Sequence, residues 1–153
     1  MTQNPVELLL VEDNLSDVEL TVHVLKKHGL ANSIEIARDG AEALELLLGD
    51  GRGRSARPVS LPRLILLDLK LPKVNGLEVL AKLKADARTK SIPVVVLTSS
   101  REDQDLFLCY ELGANSYIVK PVDFGRFTEA VRQLSLYWLL LNEKAHGHAT
   151  SQT

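Results

Sequence analysis

One cysteine is all the chain has, and that scarcity is its first information. Cys109 has no partner for an intramolecular disulfide and cannot build a cysteine-rich metal site, which fits a reducing compartment. It reads as a small core residue. Basic excess is also missing: the net charge is −2 and the isoelectric point near 6.1, so nothing here neutralises a run of nucleic-acid phosphates. No apolar run approaches the roughly 20 residues that span a bilayer. The N-terminal MTQNPVELLLVED meets two acids before any cleavage-like site, so no export signal is read. These absences exclude direct nucleic-acid binding and membrane insertion, and lead to the expectation of a soluble, cytoplasmic protein.

What is present is alternation. In 153 residues, 45% of them hydrophobic, five short β-rich runs take turns with five helical patterns, enough chain and apolar content for one domain. VELLLVE (6–12) predicts the first strand. Leu15, Val18, Val22 and Leu25 predict the first helix, closed by Gly29, with Asn14 or Ser16 near its start and a capping-box spacing from Ser16 to Glu19. SIEIAR (33–38) predicts the second strand, Asp39-Gly40 a turn, and AEALELLL a helix ending at Gly49. The stretch 49–62, rich in Gly and Arg, has no periodicity and reads as a mobile loop. LILLDL (64–69) is nearly continuous in apolar residues, as a parallel strand covered on both faces should be. Leu77, Leu80 and Leu83 mark the third helix and IPVVVLT (92–98) the fourth strand, with Pro93 at its start. A fourth helix over about 102–112 stops at Gly113, NSYIVK is the fifth strand, and a last helix follows Pro121-Val122-Asp123. Residues 1–5 and the polar 142–153 read as tails.

Strict β-α alternation predicts a doubly wound α/β fold, a parallel sheet with helices on both faces. Ligands in such sheets bind beyond the carboxyl ends of the strands. There the sequence gathers its chemistry: Glu12-Asp13 after strand one, Asp68 at the end of strand three, Thr98-Ser99-Ser100 after strand four, and Lys120-Pro121 after strand five. Carboxylates on one rim repel and need a cation or protons to coexist. With oxygen ligands and no His or Cys, the expected ion is Mg²⁺, with Mn²⁺ able to replace it. A lysine facing them supplies a point charge for a phosphoryl group, and a threonine a hydrogen bond. The set suits phosphoryl transfer with a carboxylate as nucleophile. Taken singly, Glu12-Asp13 would read as a helix entry, Thr98 as a strand-end hydroxyl, and Tyr117 as a half-buried core aromatic.

VEDN with Glu12 and Asp13, LLDLKLPKVNG with Asp68, Pro72 and Gly76, VVLTSS with Thr98, and GANSYIVKP with Tyr117, Lys120 and Pro121 stand in order at strand ends. In this the chain resembles the receiver domain of two-component response regulators over about residues 6–141. The resemblance implies a flavodoxin-like (βα)5 sandwich with strand order 2-1-3-4-5 and an extended C-terminal helix. It implies a signalling phosphoacceptor rather than an enzyme, assisting its own phosphorylation and dephosphorylation. Asp68 would take a phosphoryl group from a histidine kinase. Asp13, Asp68 and the backbone carbonyl of Lys70 would bind the metal, with Glu12 acting through water. Lys120 would hold the phosphoryl oxygens, next to a cis peptide at Pro121, while Thr98 and Tyr117 would switch and redraw the face made by helix four, strand five and helix five.

Two positions depart from commoner receivers. Lys70 stands where Asn or Met is frequent and Ser99 where Ala or Gly is frequent, and both bear on phosphoryl lifetime. The loop after helix two, LILLDLKLPK and the ending YWLLLNE look like single-domain receivers that pair with phytochrome histidine kinases. About a dozen polar residues follow, too few for an output domain. In the last helix Phe124, Phe127, Val131, Leu134, Trp138 and Leu141 step by three and four, the first three as well suited to packing against the sheet as to an interface. Leu136, Tyr137, Leu139 and Leu140 make its end apolar nearly all round, so a homodimer through Phe127, Leu134, Tyr137, Trp138 and Leu141 is expected. Rival classes fare worse: a haloacid-dehalogenase-type phosphatase needs a second aspartate where Lys70 stands, Glu12-Asp13 would repel a flavin phosphate, and no P-loop is present. The remaining alternative is a receiver-like interaction module that never cycles through phosphate.

Overall fold

The computed structural model describes residues 8–29, 33–49, 61–99 and 103–133. In chain order these form β1 (Leu8–Val11), α1 (Leu15–Lys27), β2 (Ile34–Ala37), α2 (Gly40–Leu48), β3 (Leu64–Asp68), α3 (Gly76–Ala85), β4 (Val94–Thr98), α4 (Asp103–Glu111), β5 (Ser116–Val119) and α5 (Phe124–Gln133). All strand pairings are parallel and the order is β2-β1-β3-β4-β5, matching the expected doubly wound sheet.

Why the strands are so apolar is visible in their two faces. Leu8, Leu10, Leu64, Leu66, Val95, Leu97 and Ile118 join Val18 and Leu25 of α1 and Phe127 and Ala130 of α5 in one buried layer. The alternate residues Leu9, Val11, Ile65, Leu67, Val94 and Val96 form a second layer with Ala43 and Leu47 of α2, Val79, Leu80 and Leu83 of α3, and Cys109 of α4. In β1, β3 and β4 both faces are covered, which leaves no position for a polar residue until the strand ends.

Each of the first three helices opens on an Asx cap. The side chains of Asn14, Asp39 and Asn75 accept the backbone N–H of Asp17, Glu42 and Glu78 at 3.0, 2.7 and 3.0 Å. Asn14 takes the cap of α1, which leaves Ser16 inside the first turn rather than before it. The Ser16 to Glu19 capping box therefore does not form. Beyond the C-terminus of α1, Gly29 sits at φ 65°, a left-handed turn that favours glycine, and its N–H reaches the Lys26 carbonyl at 3.1 Å.

One expectation needs correcting. Phe127 is completely buried, the largest of the fully enclosed side chains, and belongs to the core layer beneath α1 and α5. The three- and four-residue steps of α5 point it at the sheet, so it cannot form a dimer face. Leu134, Tyr137, Trp138 and Leu141 lie outside the described residues, as do most of the 49–62 loop and both tails. Truncating Phe127 to Ala should cost about 3–5 kcal/mol of stability, read as a fall in the urea midpoint at unchanged m-value; a midpoint within error of wild type would contradict the burial.

Candidate functional site

The rim is made where three strands stop. Strand order reverses between β1 and β3, because the chain leaves β1 for β2 on one side and then for β3 on the other. Glu12 directly follows β1, and its N–H still donates to the Ala37 carbonyl at 3.0 Å, so the sheet register carries it to the crevice. Asp68 is the last residue of β3, in register with Leu97. Lys120 directly follows β5, its N–H donating to the Thr98 carbonyl at 2.8 Å, and the Lys120-Pro121 peptide is cis.

These ladders bring three strand ends together around one ammonium. Lys120 Nζ lies 2.7 Å from Glu12 Oε1, 2.9 Å from Asp17 Oδ2 and 3.2 Å from Asp68 Oδ2. Glu12 is wholly buried and Asp68 is 5% exposed. Burial desolvates the Lys120 ammonium, yet its close contacts with Glu12 and Asp17 and the charge of Asp68 outweigh that and hold its pKa well above the ordinary lysine value. Burial acts the other way on Glu12: desolvation pushes its carboxyl up to about 7, helped by the neighbouring Asp68 charge and opposed by Lys120. Glu12 Oε1 is buried and paired to Lys120 by charge, without an aligned hydrogen bond.

Asp13 is exposed, and with Glu12 and Asp68 it offers carboxylate oxygens that all lie within 4.8 Å of one another. Three hard oxygens at that spacing fit a Mg²⁺-class cation. The β3–α3 connection lies close by. Lys70 is exposed, its N–H 3.4 Å from Asp68 Oδ1. Gly76 donates its N–H to the Leu69 carbonyl at 2.8 Å, and a Cβ there would collide with the Asp68 carbonyl oxygen and with Leu69. Glycine at 76 is what lets α3 start against the end of β3.

Thr98 is buried at the end of β4 and Ser99 beyond it is exposed. Tyr117 is half-buried on β5, its ring edge-on to Tyr110 of α4 at 5.9 Å and 76°. Two residues of the rim escaped the sequence reading. Asp17, in the first turn of α1, is a direct partner of Lys120, and Arg38 Nη2 donates to the Asp13 carbonyl at 2.9 Å while its own N–H reaches Glu42 Oε1. The available signal for Asp17 was its place one turn beyond Glu12-Asp13, where an acid passes for ordinary helix-dipole chemistry.

The family model of the response regulator receiver domain matches residues 8–132. The chain belongs to that family. The receiver is similar to the bacteriophytochrome response regulator AtBRR, with 51% identity and a TM-score of 0.79 over 92% of this chain and 99% of that one. It is similar also to the phosphorylated cyanobacterial phytochrome response regulator RcpA, with 39% identity and a TM-score of 0.72 over 89% and 95%. A probable methanogenesis regulatory protein, FilR2 of Methanothrix harundinacea, is 44% identical over 90% of this receiver and 86% of its own length. Receivers are signalling phosphoacceptors whose partner is a histidine kinase, and among the described residues of this one no helix is long and apolar enough to cross a membrane.

Glu12 gives the receiver a pH dependence of stability when no divalent cation is present. Its folded form keeps a proton between about pH 4.5 and 7 that the unfolded chain has lost, so stability falls as pH rises through that window. In EDTA, the wild-type unfolding free energy should drop by roughly 1–3 kcal/mol from pH 4.5 to 7.5, and Glu12→Gln should flatten most of the drop. Denaturant titrations at several pH values check this; parallel profiles for the two proteins would contradict it.

Proposed function

We propose that this receiver is the phosphoacceptor of a two-component phosphorelay, with Asp68 as the residue that accepts the group. The observation that carries the reading is the pairing of a buried strand-end Asp68 with Lys120 at 3.2 Å, beside two further carboxylates. In the reaction a carboxylate oxygen of Asp68 attacks phosphorus on a kinase phosphohistidine. The P–N bond breaks, its electron pair goes to the imidazole nitrogen, and an acyl phosphate remains on Asp68. Lys120 holds the transferred oxygens by charge. Asp13, Asp68 and the Lys70 carbonyl would hold Mg²⁺ or Mn²⁺, with Glu12 touching it through water. When bound, the ion neutralises charge among the carboxylates and the phosphoryl oxygens.

Thr98 would turn its hydroxyl toward a phosphoryl group, and Tyr117 would follow it inward away from Tyr110, coupling the rim to α4, β5 and α5. α4 already exposes Phe107, Leu108 and Tyr110. A protein partner there, or a second copy, would cover them. The likeness to AtBRR and RcpA supports a phytochrome-type histidine kinase as donor, in the cytoplasm. Homodimerisation runs through Leu134, Tyr137, Trp138 and Leu141, whose spacing continues the apolar side of α5.

With acetyl phosphate or a phosphorylated phytochrome kinase and Mg²⁺, wild type should take up label and Asp68→Asn at least a hundredfold less. Absence of label on wild type would leave an interaction module that does not cycle. For the dimer, Trp138→Glu should give a monomer mass by light scattering at concentrations where wild type shows twice that mass; a monomeric wild type at high micromolar concentration, with and without phosphate, would refute it.

A further inference from the structure

Lys120 already faces three anions. An ammonium has three N–H donors, and here three carboxylates stand within 3.2 Å of it. A phosphoryl oxygen arriving on Asp68 must compete with these carboxylates for an ammonium that already donates to Asp17 and Asp68, so an existing contact has to loosen. The three differ in what release entails. The Glu12 and Asp68 side chains are 1% and 7% exposed, and rehydrating either means opening the crevice. The Asp17 side chain is 33% exposed and can turn to water where it stands. Asp17 also lies outside the trio of carboxylates arranged for a cation, so metal binding gives it no replacement role. Its backbone is fixed, the N–H held by Asn14 Oδ1 at 3.0 Å, which keeps the carboxylate over Lys120 without help from the rest of the rim.

We infer that Asp17 is a positioning residue that competes with the incoming phosphoryl group for Lys120, and so sets how readily Asp68 is loaded. This inference rests on the phosphoacceptor reading. In the resting receiver Asp17 holds the ammonium extended toward the rim. During loading an Asp68 oxygen bonds to phosphorus, and with acetyl phosphate the P–O bond to acetate breaks and acetate leaves with the electron pair. The Lys120 donor that faced Asp17 passes to a phosphoryl oxygen, and Asp17 takes up water. When the phosphoryl group is hydrolysed, Asp17 recovers its partner. Because Asp17 lies in the first turn of α1, the exchange also ties the charge state of the rim to that helix end.

The test is a series of acetyl phosphate titrations with Mg²⁺ on wild type, Asp17→Asn, Asp17→Glu and Glu19→Gln. Glu19 is an exposed acid of the same helix, so its variant removes the same unit of charge without touching Lys120. For Asp17→Asn the half-saturating acetyl phosphate concentration should fall roughly two- to fivefold, the scale of one partly exposed charge contact. Its maximal loading rate should stay within about twofold. Asp17→Glu should restore the wild-type value and Glu19→Gln should match it. An unchanged or raised half-saturation in Asp17→Asn overturns the inference, as does an equal shift in Glu19→Gln, which would make the effect one of general charge. Failure of wild type to load would instead remove the phosphoacceptor reading, and the inference with it.

Discussion

The site turns on a single charge balance, the Lys120 ammonium set among Glu12, Asp17 and Asp68. Without it, buried carboxylates at the end of a parallel sheet would repel one another and shed their charge by taking up protons. With it, Asp68 stays close to a fixed cation while Glu12 is held near the edge of ionisation at about 7. The sheet exists, for this purpose, as a device that delivers β1, β3 and β5 to the same rim. Its two apolar layers fix the register, and the register fixes where the chain first permits a polar residue.

That dependence explains which parts were legible in the sequence. Strand ends were readable because continuous apolar runs break at Glu12, Asp68 and Thr98, and polar groups inside a two-faced sheet have no other place to stand. The order of strands and the roles along the rim came from the resemblance, through motifs that follow one another at those breaks. Asp17 was not readable. Its partner lies 103 residues away, and nothing local separates an acid that meets a lysine across the crevice from one that merely faces the helix dipole. Arg38 escaped for the same reason, since its target is the carbonyl of Asp13 rather than a side chain.

Phe127 shows a different limit, a pattern that was seen with two outlets, its own sheet or a partner. A three- and four-residue apolar step is the same whether a helix faces its own sheet or another molecule, and periodicity alone cannot choose. Packing chose: Phe127 and Ala130 fill the layer under α1 and α5. The start of α1 is a smaller case. Asn14 and Ser16 both have the chemistry of a cap, and the helix begins where Asn14 can also donate its N–H to the Glu12 carboxylate, at 3.2 Å. The cap was thus decided by the site rather than by the helix.

The balance around Lys120 has meaning only if Asp68 carries the phosphoryl group. Borohydride reduces an aspartyl phosphate to homoserine, so treatment of the loaded receiver followed by peptide mass spectrometry reads the position directly. Homoserine at position 68, dependent on Mg²⁺, is the predicted result. Phosphate recovered at any other residue, or an unmodified position 68 after loading by its kinase, would contradict the account.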